Sequence, residues 1–209
     1  MRLGELSEAT GTTPASIKFY LREGLLQPGR SINPTRSSYG DDHVRRLGLI
    51  QCLRTVVGLG LEDIRRIIDA AEGADASPSQ RLALLGTVQS VVLGLDDVDA
   101  PQSAEGRALI HAMGWPDAPS EARTAVDRHL DVMRELGVAA EADVLEAYGR
   151  AADAIASAQL EVTDGSRTIE EMILTAAVGI HMHNQLILKV VALAQASRSI
   201  RRYGAGPRP

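Results

Sequence analysis

The fifteen residues from Thr12 to Leu26, TTPASIKFYLREGLL, constrain this chain more than any other stretch. Thr13 has the side chain of a helix N-cap, and Pro14 stands at the first helical position, where a missing N–H is harmless. Ile17, Tyr20 and Leu21 are three and four apart, so they share one face. Lys18 and Arg22, at i and i+4, share another. A short helix with an apolar back and two cations on its front has the form of a recognition helix, which reaches phosphates and base edges of double-stranded DNA. Ahead of it, Leu3 to Thr10 reads as a first helix, with Leu3 and Leu6 facing a core and Gly11 ending it.

The following residues complete a winged helix-turn-helix. Gln27 to Ser38 is rich in Pro, Gly, Asn and Ser, with Arg30 and Arg36 on either side of Asn33 and Pro34. It reads as a small β-hairpin wing turning near Asn33. Asp41 or Asp42 caps a third helix, in which Val44, Leu47, Ile50 and Leu53 keep helical spacing until Gly58 and Gly60 break it. A fourth helix, Leu61–Ala71, turns Leu61, Ile64, Ile67 and Ile68 inward. Arg45 and Arg46 open the third helix, where the helix dipole disfavours a cation. Phosphate neutralisation explains that placement, and so does an ordinary solvated surface.

Residues 73–78 (GADASP) read as a linker between a DNA-binding domain at 1–72 and an all-helical domain at 79–209. The fold class is therefore all-α with one small β-hairpin. Helices are expected near Ser79–Leu95, Ser103–Met113, Ser120–Leu136 and Glu141–Leu160. A capping box at Thr168–Glu171 starts a last helix of roughly 30 residues, about 45 Å long. That helix carries one apolar stripe through Ile169, Ile173, Ala176, Ile180, Ile187, Val191 and Ala194. A second runs through Leu174, Val178, Met182, Leu186, Val190 and Leu193. Two apolar faces need two neighbours. One side is expected on its own domain and the other on a second subunit, making a homodimer through 168–202.

Charge divides along the same line. Residues 1–71 hold ten Lys/Arg against eight Asp/Glu, a balance of +2, and the remainder hold twelve against nineteen, −7, which sum to the net −5. A mildly basic head on an acidic body suits DNA binding by one end. The single cysteine, Cys52, allows no intrachain disulfide and no thiolate cluster, and among Ile50 and Leu53 it reads as a small core residue. The N-terminus lacks the apolar run of a signal peptide, and Met172–Ile180 is too short to span a bilayer before His181 interrupts it. A soluble, cytoplasmic protein with no membrane partner is expected. No Gly-rich phosphate loop, nucleophile elbow or paired ligand set is present, so an enzyme is not expected, nor is any cofactor or metal.

Residues 1–71 resemble the DNA-binding domain of MerR-family bacterial regulators. The resemblance rests on Leu3–Leu6 (LGEL), Ile17–Leu26 (IKFYLREGLL), Tyr39–Val44 (YGDDHV), Arg46–Leu47 and Gly60–Ile64 (GLEDI). It implies a homodimer on palindromic promoter DNA that many members bend and untwist, on binding an effector, for RNA polymerase to use. By the same resemblance Lys18, Tyr20 and Arg22 are expected at phosphates or base edges, Thr13 and Ser16 at base edges, and Arg36 at the neighbouring backbone or minor groove, while Phe19, Arg30 and Arg45 are further candidate DNA contacts. Four departures stand out. Lys18 replaces the usual Arg, Phe19 an often-found Tyr, and Arg36-Ser37 occupies the place of the wing's usual Tyr-Arg pair. The stretch Gln80–Leu95, where the family usually has a coiled coil, is short and holds Gly86 and Gly94. The last helix is loosely similar to the dimer helices of TetR-type repressors.

For an effector the residues offer less. His181 and His183 are two apart on a helix and point about 200° from each other, so they do not chelate one ion. His183, Asn184 and Tyr148 read either as the polar spots of a pocket for a small apolar or amphipathic molecule, or as a hydrogen-bonded layer setting helix register. The Ala-rich helix around Tyr148 either packs closely or leaves ligand space. Trp115 reads as a core plug, and Asp127 and Asp131 as a solvated face. The rival to an effector-responsive regulator is an architectural DNA-binding protein or simple repressor whose C-terminal half only dimerises.

Overall fold

A computed structural model describes residues 1–33, 36–72, 77–95, 102–160 and 168–203, with only the backbone of Asn33, Arg36 and Leu160. Helices α1 (Leu3–Thr10) and α2 (Pro14–Arg22) are joined by a turn in which Gly11 takes φ 64°, a left-handed conformation that costs glycine little. Thr13 caps α2, its Oγ1 accepting the Ser16 N–H at 3.1 Å. Strands β1 (Arg30–Asn33) and β2 (Arg36–Ser38) pair antiparallel, Arg30 opposite Ser38. The hairpin base closes tightly: a Cβ on Gly29 would lie 2.8 Å from the Tyr39 ring and 2.9 Å from the Ser38 carbonyl. The turn residues 34–35, where the wing was expected to reverse, lie outside the described residues.

Helix α3 spans Asp41–Cys52, with Gly40 rather than Asp41 or Asp42 at the N-cap. The His43 imidazole Nδ1 accepts the Gly40 N–H at 3.1 Å, which leaves both aspartates inside the first turn, where the dipole favours them. A π-helical turn, Leu53–Val57, carries the chain on to Gly58, at φ 86°. Helix α4 runs Leu61–Glu72. Residues 73–76 of the expected linker lie outside the described residues.

The packing does not stop at that linker. Helix α5 (Pro78–Leu93) places Leu84, Val88 and Val91 in the same apolar cluster as Leu6, Ile17, Leu47, Ile50 and Ile67 of the head. Helix α9 (Ile169–Tyr203), 35 residues and about 52 Å long, adds Met172, Ile173, Ala176 and Ala177 to that cluster. Thr168 and Glu171 exchange the reciprocal bonds of a capping box, at 3.1 and 3.2 Å. The expectation that α9 buries one side on its own domain and bares the other is replaced by a lengthwise division. Its root is buried in the head's core, while Met182, Leu186, Leu188, Val190, Val191, Leu193, Ile200 and Tyr203 stand exposed along the rest.

Helices α6 (Ala104–Met113), α7 (Glu121–Glu135) and α8 (Ala142–Leu160) form a smaller group in which α6 packs against both others. At its centre is a buried polar knot. Asp127, which was expected on a solvated face, is 1% exposed. Its Oδ1 accepts the Ser103 hydroxyl at 2.6 Å and the Arg123 Nη1–H at 2.9 Å. Gly106 makes room for it, since a Cβ there would lie 2.2 Å from that carboxylate. Glycine serves α8 likewise: a Cβ on Gly149 would meet Met113 Sδ at 2.7 Å. Trp115 is half-buried, and its indole N–H donates to Asp153 in the middle of α8 at 2.8 Å, a tie from the end of α6 to α8 where a plug was expected.

Candidate nucleic-acid interface and apolar groove

The side chains expected at DNA separate into two sets. Lys18 and Arg22 project from the exposed face of α2, and among the described residues neither meets a carboxylate. Arg30 is exposed at the base of the wing. Arg36 lies on β2, but its side chain is outside the described residues. Thr13 is exposed and Ser16 half-buried, their hydroxyls 2.9 Å apart, so both serve the helix cap. Arg45 is bound by Asp42 one turn earlier, which offsets its charge locally.

Tyr20 and Phe19 lie elsewhere than expected. Tyr20 is 4% exposed and belongs to the core, with its hydroxyl accepting the Arg54 Nη1–H at 3.0 Å. The same helical spacing that grouped Tyr20 with Ile17 turns it away from the Lys18–Arg22 face. Phe19, half-buried, packs its ring at 5.7 Å and 65° against that of Tyr20.

The anchors of α2 come from further along the chain. Gln51 donates to the Thr10 carbonyl at 3.2 Å and to Thr12 Oγ1 at 2.7 Å, tying α3 to the α1–α2 turn. Arg65 of α4 grips the Glu23 carboxylate at 2.9 Å, beyond the end of α2. Arg46 of α3 reaches Glu72 of α4 and Glu170 of α9, each at 3.8 Å. No local spacing signals these pairs, because their partners are tens of residues distant in sequence.

Cys52 is half-buried, and burial pushes its thiol above the ordinary value, so it stays protonated at neutral pH and is a poor nucleophile. Among the described residues no three His, Cys, Asp or Glu side chains gather as a metal set. His181 instead pairs with Gln185, ring nitrogen to amide nitrogen at 2.8 Å.

An apolar groove of about 380 Å³ runs between α5, α8 and α9. His183 forms part of its wall, as the polar-spot reading expected, whereas Tyr148 and Asn184 do not. Tyr148 is 65% exposed on another face of α8. The Ala-rich helix thus does both things left open for it, packing closely at Gly149 and leaving space at Ala156.

Comparison with known proteins fits this geometry. The model of the MerR HTH family regulatory protein matches residues 1–71. Residues 1–71, about a third of the chain, are thus similar to a MerR-type regulatory head. Over 69 residues this MerR-type head is 28% identical to the HTH-type transcriptional regulator ZntR homolog of Haemophilus influenzae. That match covers 33% of this chain and 50% of the relative, so the chain spans about half the length of the curated relative it matches. Over its whole length the chain is similar to the crystal structure of SCO5550 from Streptomyces coelicolor A3(2), described as a candidate transcriptional regulator. The identity is 25%, the TM-score is 0.62, and all of both chains is covered.

Proposed function

We propose that the protein is a DNA-binding transcription regulator that grips palindromic promoter DNA as a homodimer and distorts it in response to a small molecule. The observation that carries this is the exposed Lys18–Arg22 face of α2, held outward by a helix whose other face is locked into the core of a MerR-type head. Thr13 and Ser16 open the same helix, and Arg30 is exposed at the base of the wing, so phosphate contacts are expected from α2 and from the wing.

The dimer reading rests on the outer part of α9. From Met182 to Tyr203 it exposes apolar side chains that none of the described residues covers, and such a surface in a soluble protein marks an interface. By length and composition alone α9 also suits a bilayer. Its buried root and the polar run of His181, His183, Asn184, Gln185 and Lys189 favour a protein partner instead. Arg198, Arg201 and Arg202 crowd the tip, so an antiparallel pair of α9 helices avoids stacking like charges. Because the root of α9 is part of the head's core, a change in how two α9 helices cross moves the two reading heads relative to each other. RNA polymerase then responds to the altered DNA, and the protein acts in the cytoplasm without catalysing a reaction.

Footprinting on the promoter region of its own gene, across a salt series, tests this. A protected palindrome with hypersensitive central base pairs is expected. Sequence-blind protection that disappears as salt rises would overturn the promoter-specific reading. A footprint that no small molecule alters would leave an architectural protein or simple repressor.

A further inference from the structure

We infer that the groove between α5, α8 and α9 is a binding site for an uncharged amphipathic molecule, an apolar chain ending in one hydrogen-bonding group. The inference rests on the regulator reading above and names the ligand class for it. Its floor is made of small residues, with Gly86 of α5 and Gly179 of α9 both facing open space: a Cβ on either would meet no heavy atom within 4 Å. Mid-helix glycine costs roughly 1 kcal/mol relative to alanine, and here no close helix contact explains it. Gly106 and Gly149, by contrast, each let a neighbouring side chain approach closely.

The wall sets the chemistry. Leu82, Leu85 and Ile180 supply apolar surface, while Gln89, Gln159 and His183 supply hydrogen-bonding groups. Among the described residues that line it there is no Asp, Glu, Lys or Arg and no Phe, Tyr or Trp. A carboxylate or ammonium would therefore find no Lys, Arg, Asp or Glu there to pair with, and a flat aromatic cation no ring to stack on. A space of about 380 Å³ lies within the size range of small-molecule sites.

Position gives the site leverage. Helices α5 and α9 belong to the core of the reading head, and α8 belongs to the α6–α8 group. A ligand in the groove touches both and favours whichever relative placement gives it more contact.

Titration calorimetry on the full chain tests the inference with three probes of equal chain length: decanamide, decanoate and decylammonium. Decanamide is expected to bind at least tenfold more tightly than either charged probe. Gly179→Leu, and independently Gly86→Leu, should remove that binding, while Gly179→Ala keeps the helix intact and weakens it less. Equal binding of the three probes, or decanamide binding that survives both leucine variants, would overturn the site. So would no decanamide binding together with a shifted monomer–dimer equilibrium in Gly179→Leu, which would give the groove to side chains of the second subunit. Footprinting the same variants without a probe separates the two readings. A retained palindrome with lost ligand binding affects the groove alone, whereas a lost palindrome in the unaltered protein removes the regulator reading.

Discussion

Lys18 and Tyr20 stand two residues apart on α2 and have opposite tasks. Lys18 and Arg22 face solvent without partners among the described residues, so each change to Ala is expected to flatten the slope of log affinity against log salt by about 0.9, read by fluorescence anisotropy over a salt series. Tyr20→Phe should leave that slope unchanged and lower folding stability by about 1 kcal/mol, since it removes the acceptor for Arg54 inside the head. A slope that falls in Tyr20→Phe would return the hydroxyl to the DNA surface. Asp127 is the other informative residue. In Asp127→Ala, Arg123 would remain, its side chain 7% exposed, without its 2.9 Å partner, and Asp117 at 3.2 Å supplies only a partial replacement. Chemical denaturation should show a loss of about 3–5 kcal/mol. The sequence showed the i,i+4 spacing of Asp127 and Asp131 but not burial, which depends on Ser103 and Gly106 of another helix.

Helices were legible wherever a cap and a periodic stripe coincided. Thr13 with Pro14 starts α2, Thr168 with Glu171 starts α9, and Gly114 ends α6, each where the local chemistry placed it. The departures are local too. Gly40 displaces Asp41 at the start of α3 because His43 satisfies the Gly40 N–H, and the break at Gly58 is preceded by a π-helical turn that no spacing announced. Helix α9 is the element whose role the pattern described least completely. Its two apolar stripes are real, but packing uses them in sequence, root first. Ile173 is fully buried in the head's core, so Ile173→Ala is expected to cost about 2–5 kcal/mol and to lower the melting temperature of the whole head, followed by circular dichroism. Unfolding of the head that ignores this change would separate α9 from it.

As a whole molecule the protein joins a reading head, a projecting helix and a three-helix group. The exposed reach of α9 governs assembly in the proposed dimer, so Leu193→Glu, at a position already 67% exposed, should leave the monomer folded. Sedimentation velocity should then show dissociation, with affinity for a palindrome reduced far more than affinity for a half-site. A variant that stays dimeric would move the interface to another surface. The MerR-type head was readable because helix caps, a glycine turn and two helical faces lie within a few residues of one another. The groove was not, since its walls come from three helices separated by some ninety residues, and of the three residues expected there only His183 reaches it.

Caps, turns and apolar periodicity act over one or two helical turns. For that reason the sequence by itself determined the element order, the capped start of α2 and the exposed pair of cations at Lys18 and Arg22. Burial is set by which elements meet, and it takes contacts between distant segments to decide it. Only the tertiary structure turned Tyr20 into the core of the head, sank Asp127 beneath Ser103 and Arg123, and rooted α9 in the core of the head it follows by about a hundred residues.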